Sequence, residues 1–223
     1  PVTLELGGKS PVVIGRSAKV ELAGTRLTFG KLLNGGQLCL SPDYVLVPEE
    51  LEAQLIARVV SETQSMYPNI TENTDYAGVF DERHFARLLG YIDDAVAKGA
   101  KLTIVGADKT RASENNRRMP LHILQNVTED MQVMHEEIFG PILPVMTYND
   151  ITEVPDKIEP RRNPLALYYF GKDKAEQEYL LNHVPSGGAC INDITLHYVQ
   201  EDLPFGGVGS SGMGAYHGPE GFR

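Results

Sequence analysis

The chain is short of cysteine, of long apolar runs and of basic residues, and each shortage closes off a class of protein. Only Cys39 and Cys190 occur among 223 residues. Two thiols are too few for the disulfide framework of a secreted domain and suit a reducing cytoplasm. No stretch is apolar for long enough to span a bilayer, and no signal-peptide pattern opens the chain, so a cytoplasmic location without a membrane segment is expected. The triplets at Asn69 and Asn126 fit a glycosylation pattern but carry no weight without a secretory signal. Lys+Arg number 20 against 30 Asp+Glu, a net charge of −10, which gives no general attraction for nucleic acid or anionic lipid. The acidic residues are dispersed and read as solubility. Internal repeats and low-complexity segments are absent. His135-Glu136 lacks a second histidine at metal-binding spacing, and no other cluster of His, Cys and acids resembles a metal site.

What is present reads as a folded α/β protein. Hydrophobic residues make up 42% and charged residues 22%, the balance of a soluble globular chain and not of a disordered one. Short strand-like runs occur at 12–14, 44–47, 102–105, 121–124, 142–148, 166–170 and 189–192, the last expected to be buried. Helical patterns separate them. One runs from Val20 to Leu33, with apolar positions at Leu22, Leu27, Phe29, Leu32 and Leu33. Another opens at Pro48-Glu49-Glu50, with a stripe at Leu51, Leu55, Ile56, Val59 and Val60. A third carries Phe85, Leu88, Leu89, Ile92 and Val96 and stops near Gly99, and a fourth covers 173–183. Residues 107–119 are polar and read as an exposed loop. Strands alternating with helix-length segments predict βαβ units, hence a mostly parallel sheet flanked by helices.

Four segments carry potential chemistry. Cys39 lies in Asn34-Gly35-Gly36-Gln37-Leu38-Cys39-Leu40-Ser41-Pro42-Asp43-Tyr44, a glycine-rich turn that can present a sulfur to a pocket beside free backbone N–H groups. Most cysteines are small core hydrophobes, as Cys190 in Ala189-Cys190-Ile191 is expected to be; for Cys39 the core and reactive readings both stand on local context. Glu5 precedes Gly7-Gly8, a pair that permits close backbone approach, although strand alternation could equally turn it to solvent. Glu136-Glu137 before Ile138-Phe139-Gly140-Pro141 is by itself an ordinary helix end or surface turn. Gly207-Val208-Gly209-Ser210-Ser211-Gly212 matches the dinucleotide fingerprint literally, but no strand leads directly into it and no acidic ribose ligand follows. It reads as a tight glycine-rich crossing and not as a phosphate loop.

Together these segments resemble the aldehyde dehydrogenase superfamily. Leu4-Glu5-Leu6-Gly7-Gly8-Lys9 resembles its general-base motif, and Gly36-Gln37-Leu38-Cys39 its nucleophile motif. Glu137-Ile138-Phe139-Gly140-Pro141 resembles its nicotinamide-ribose motif, and Pro204-Phe205-Gly206-Gly207 with Ser211-Gly212 its C-terminal signature. Their order matches as well, as does the 39 − 5 = 34 residue interval between base and nucleophile. Cys39-Leu40-Ser41-Pro42-Asp43-Tyr44 and Gly212-Met213-Gly214-Ala215-Tyr216-His217-Gly218 are similar to the class 3 and coniferyl aldehyde dehydrogenase branch. The resemblance spans the whole chain. With Pro1 leading straight into a strand-like run and Gly221-Phe222-Arg223 ending without a closing element, the chain is expected to be the C-terminal half of a longer protein. Residues 1–8 would be the last strand of a cofactor-binding domain with the general-base loop, and 9–223 the catalytic domain with its C-terminal signature.

The resemblance implies that Cys39 attacks an aldehyde and that the adduct is oxidised to a thioester with NAD or NADP as hydride acceptor. Glu5 then activates water to release the acid. Glu137 would hold the nicotinamide ribose, and Phe139 would pack beside the ring. The oxyanion-hole asparagine and the adenosine and pyrophosphate sites are expected upstream of Pro1; Asn34 belongs to the nucleophile motif and is no substitute. The chain alone is therefore expected to turn over little. An aldehyde partner and, for the full-length protein, a homodimer are implied. Two other readings stand: a cofactor-independent esterase at Cys39, and a non-catalytic structural or assembly piece.

Overall fold

A computed structural model of the protein describes residues 2–106, 112–113, 115–161 and 163–222. Of the loop expected over 107–119, residues 107–111 and 114 lie outside the described residues. The strands are β1 (Leu4–Glu5), β2 (Pro11–Ile14), β3 (Tyr44–Pro48), β4 (Lys101–Val105), β5 (Leu121–Gln125), β6 (Ile142–Tyr148), β7 (Ala166–Phe170), β8 (Gly188–Ile191) and β9 (Gly212–Met213). Seven form one sheet in the order β4-β5-β6-β3-β2-β7-β8. Every pair in it is parallel except β4 with β5, the mostly parallel arrangement the alternation predicts.

The two central strands explain the layers. Val12, Val13 and Ile14 of β2 and Val45, Leu46 and Val47 of β3 are wholly buried. Alternate side chains point to opposite faces of a strand. Val12, Ile14, Val45 and Val47 therefore share a core with Leu27 of α1 (Val20–Leu32) and with Leu55 and Val59 of α2 (Glu49–Met66). Val13 and Leu46 pack on the other side with Leu88 and Ile92 of α3 (Glu82–Ala97), Ile158 of α4 (Val154–Ile158) and Leu180 of α5 (Lys174–His183). Each fully buried aliphatic side chain is worth roughly 1.5–3 kcal/mol relative to exposure, so continuous apolar strands are affordable only when both faces are covered.

Three details differ from the sequence pattern. The face α1 buries runs through Ala23, Gly24, Leu27, Thr28, Gly30 and Lys31, whereas Leu22, Phe29 and Leu33 are exposed. Small residues win because α2 crosses closely: a Cβ on Gly24 would run into the Arg58 side chain. Val96 of the α3 stripe is also exposed. Finally, β8 is not buried. It is the sheet edge, and Gly188, Ala189 and Cys190 are half-buried while Ile191 is exposed. Cys190 is thus no more enclosed than Cys39. No helix among the described residues is long and apolar enough to cross a membrane.

β1 lies outside the main sheet. It pairs antiparallel with β9, Leu4 opposite Met213 and Glu5 opposite Gly212, and the Leu6 N–H donates to Ser211 O at 2.9 Å. The Gly207–Gly212 run is therefore a crossing that holds the Glu5 strand.

Candidate active site

Cys39 stands on a turn between α1 and β3. After α1 the backbone passes through Asn34, Gly35 and Gly36, all at positive φ, and the Ser41 N–H closes a turn on Leu38 O at 2.9 Å with Cys39 in its corner. Gln37 secures the base of this turn: its Nε2 donates to Asn34 O at 2.9 Å and to Gly78 O at 3.1 Å, and its Oε1 accepts from the Phe80 N–H at 2.9 Å. At Gly36 the glycine is required. Its φ is +76°, and a Cβ there would lie 2.6 Å from the carbonyl oxygen of Gly140.

The structure brings Glu5 to this turn. The Cys39 thiol points at Glu5 Oε1, with Sγ 3.3 Å away. Cys39 is half-buried and Glu5 exposed. Burial, and then the adjacent Glu5 carboxylate, pushes the Cys39 pKa up to about 12. At neutral pH the sulfur is consequently a thiol whose proton faces a carboxylate, and not a free thiolate. The pair is arranged for attack coupled to proton transfer.

Glu137 and Phe139 lie on the segment between β5 and β6. Glu137 is half-buried, and its Oε2 accepts from the Gly8 N–H at 3.2 Å. Burial, followed by the negative charge of Asp43, raises its pKa to about 7. Phe139 adopts φ +54°, an uncommon conformation for a bulky side chain. Its carbonyl oxygen meets His84 Nε2 at 2.7 Å, and Arg87 donates to Ile138 O at 2.9 Å and Glu137 O at 3.3 Å. α3 thus holds the strained turn in place from behind. Phe80, His84, Arg87, Glu136, Glu137 and Phe139 line an open groove of about 320 Å³. A half-buried carboxylate with an aromatic ring two residues on, at the wall of such a groove, suits a ribose bearing a flat heterocycle. The chain's residues fit that part of a nicotinamide cofactor.

Several residues that organise the site carry no motif signal of their own. The buried Lys9 ammonium pairs with Asp43 Oδ2 and donates to Val133 O at 2.9 Å and Glu136 O at 2.8 Å. Asp43 Oδ1 accepts from the Ile138 N–H at 2.9 Å. One buried ion pair therefore ties together the segments carrying Glu5, Cys39 and Glu137. Burial lowers the Lys9 pKa, with Asp43 acting in the opposite sense. Lys31 is wholly buried beneath the turn, its ammonium has no hydrogen-bond partner among the described residues, and burial lowers its pKa to about 8. Tyr216 was visible only as part of a subgroup motif; its hydroxyl donates to Glu5 Oε2 at 2.5 Å. Lys9 and Asp43 stand within the motifs themselves, and a lysine and an aspartate between buried strands were the available signal. Lys31, in the last turn of α1 where a basic residue is ordinary, offered none.

Comparison with known proteins identifies relatives over the whole chain. The profile described as "Aldehyde dehydrogenase family" matches residues 1–223. A probable coniferyl aldehyde dehydrogenase of Pseudomonas aeruginosa is 49% identical over 222 residues, covering 100% of this chain and 46% of that protein. A structure of Staphylococcus aureus AldH in a substrate-bound state is 39% identical with a TM-score of 0.92, covering 100% of this chain and 47% of that one. A structure of an NAD-dependent aldehyde dehydrogenase from Sinorhizobium meliloti is 26% identical with a TM-score of 0.88, covering 99% of this chain and 43% of that one. The chain spans about half the length of the curated relatives it matches.

Proposed function

Since the chain belongs to the aldehyde dehydrogenase family, we propose that it is the catalytic part of an enzyme that oxidises an aldehyde to its acid with NAD or NADP, using Cys39 as nucleophile and Glu5 as base. In the domain reading this entails, residues 1–8 close a cofactor-binding domain and 9–223 form the catalytic domain. The observation that carries the proposal is the approach of Sγ to Glu5 Oε1 at 3.3 Å, across a chain separation that no local turn accounts for.

Cys39 attacks the aldehyde carbon as its proton passes to Glu5, forming a thiohemiacetal whose oxygen faces the backbone N–H groups of the Cys39 turn. When bound, the nicotinamide supplies the hydride acceptor that converts this adduct to a thioester. Glu137 holds the ribose and Phe139 lies beside the ring, both on the turn braced by His84 and Arg87. Glu5 releases the cysteine's proton to solvent, takes a proton from the water that attacks the thioester carbon, and returns it to the sulfur as the C–S bond breaks and the acid leaves.

For the substrate, an aromatic aldehyde of the coniferaldehyde type is favoured over a medium- or long-chain aliphatic one. Support comes from the coniferyl relative at 49% identity. It comes also from the rings at the Glu5 end of the site: Phe205 lies 5.0 Å from Tyr198 and 5.6 Å from Tyr216. The test is an acyl-enzyme trap with 4-nitrophenyl acetate read by peptide mass. Acetyl should appear on Cys39, persist longer in Glu5→Gln and be absent in Cys39→Ala. Acetylation spread over lysines with Cys39 unmodified overturns the assignment. NAD(P)-dependent oxidation of coniferaldehyde by the longest natural polypeptide carrying this chain tests the reaction itself.

A further inference from the structure

The Glu5 carboxylate has two oxygens, and each is committed. Oε1 receives the Cys39 thiol at 3.3 Å and Oε2 receives the Tyr216 hydroxyl at 2.5 Å. We propose that Tyr216 is the positioning residue of the base: it fixes Glu5 in the one orientation that keeps Oε1 on the sulfur. The inference rests on the reading of Cys39 and Glu5 as nucleophile and base.

An exposed glutamate on a two-residue strand has no packing to hold its side chain, and its three side-chain torsions are free to turn it toward water. A single donor at the far oxygen removes that freedom and leaves the near oxygen pointing in a defined direction. Tyr216 is built to be that donor. Its backbone exchanges both hydrogen bonds with Phe205, at 2.7 and 2.8 Å. Its ring stands edge-on to Phe205 at 5.6 Å and to His217 at 4.8 Å. The phenol remains protonated, since burial, and then the carboxylate it faces, raises its pKa above the ordinary tyrosine value. Strand β9, which pairs with the Glu5 backbone, and Tyr216, which grips the Glu5 side chain, lie within five residues of each other. The same short segment therefore sets both where Glu5 sits and how it points. Gly214 makes the tight return between them possible, at φ +78° and with a Cβ position only 3.2 Å from Thr3 Oγ1.

The charged and titratable groups that act on the sulfur are Glu5 and Glu137, with Tyr168 and Tyr216 also near it. Burial, and then Glu5, holds the thiol protonated, so turning the carboxylate away should ease the loss of its proton. The test is the rate of iodoacetamide alkylation at Cys39 in the full chain, followed by peptide mass over pH 7–11, with folding of each variant checked by circular dichroism. Tyr216→Phe keeps the ring and should speed alkylation roughly tenfold at pH 8, the gain in thiolate that a fall of about one pKa unit brings. In a Glu5→Gln background the same change should do nothing more. Equal acceleration in both backgrounds, or none in either, overturns the assignment. If Glu5→Gln by itself leaves Cys39 unaffected, the underlying Cys39–Glu5 reading falls, and the Tyr216 assignment with it. A second measurement needs no change at Tyr216: the ¹³Cζ resonance of labelled Tyr216 should move on Glu5→Gln, and an unmoved resonance overturns the contact.

Discussion

Gly36 and Gly140 touch through their backbones: a Cβ on Gly36 would stand 2.6 Å from Gly140 O. The turn that presents Cys39 is thereby seated directly on the turn that follows Phe139. The Cys39 turn and the Phe139 turn cannot move independently. Gly36→Ala adds both a positive-φ penalty and an overlap with main chain that cannot rotate away. The expected loss is about 2 kcal/mol or more, read as a lowered urea midpoint, together with a changed alkylation rate at Cys39. Ala at Gly90, whose Cβ position has nothing within 4 Å, should be neutral or stabilising.

Asp43→Ala would strip the buried Lys9 ammonium of its counter-ion and the Ile138 N–H of its acceptor. Removing one member of a buried pair typically costs about 3–5 kcal/mol. The double variant Asp43→Ala with Lys9→Met should recover part of that loss, because the uncompensated charge is then gone. Chemical denaturation of the unmodified chain and the two variants measures the difference.

Lys31 should destabilise the fold at neutral pH. Its folded pKa of about 8 lies below the ordinary 10.5, so between these values the unfolded chain binds more protons than the folded one. Stability from this group therefore rises as pH climbs from about 8 toward 10.5. The penalty at pH 7 is on the order of 3 kcal/mol. Lys31→Met should raise the melting temperature at pH 7 and flatten the pH dependence above 8. A lowered melting temperature would assign the ammonium a stabilising role instead.

If Glu137 holds the ribose as proposed, it accepts the hydroxyls best when ionised, and its pKa is raised to about 7. Cofactor affinity should increase as pH rises from 6 to 8, and Glu137→Gln should abolish that dependence while leaving the fold intact. Fluorescence titration with NADH at fixed ionic strength reads both. For folding the sign is opposite: a carboxyl with a raised folded pKa makes the native state lose stability as pH rises from about 4.5 through about 7.

The sheet was legible in the sequence because its centre is apolar without interruption. Val12-Val13-Ile14 and Tyr44-Val45-Leu46-Val47 can only be strands covered on both faces. Neighbouring glycines left Cys39 and Glu5 open, and only the resemblance of their motifs, in order and spacing, singled the two out as a pair. What failed to show were facts of long-range placement. Nothing along Ala189-Cys190-Ile191 says that β8 ends the sheet, since edge and centre strands differ in neighbours and not in composition. The helix face of α1 was misjudged because close approach selects small residues there over Leu22 and Phe29: α2 crosses at Gly24, and Ile194 and Pro42 press on Gly30. The contact of Tyr216 with Glu5 joins residues 211 apart in the chain, beyond the reach of any periodicity.

The ribbon that pairs Glu5 with Gly212 also sets an order of assembly. The turn bearing Cys39 depends on α1 and β3, both complete once residue 48 has been made. Glu5 precedes that turn in the chain, yet its partner strand follows every strand of the main sheet. A chain interrupted before β9 would carry an exposed thiol with no base fixed upon it. The Glu5–Cys39 arrangement is therefore assembled only when β9 has joined β1, after every strand of the main sheet has been made.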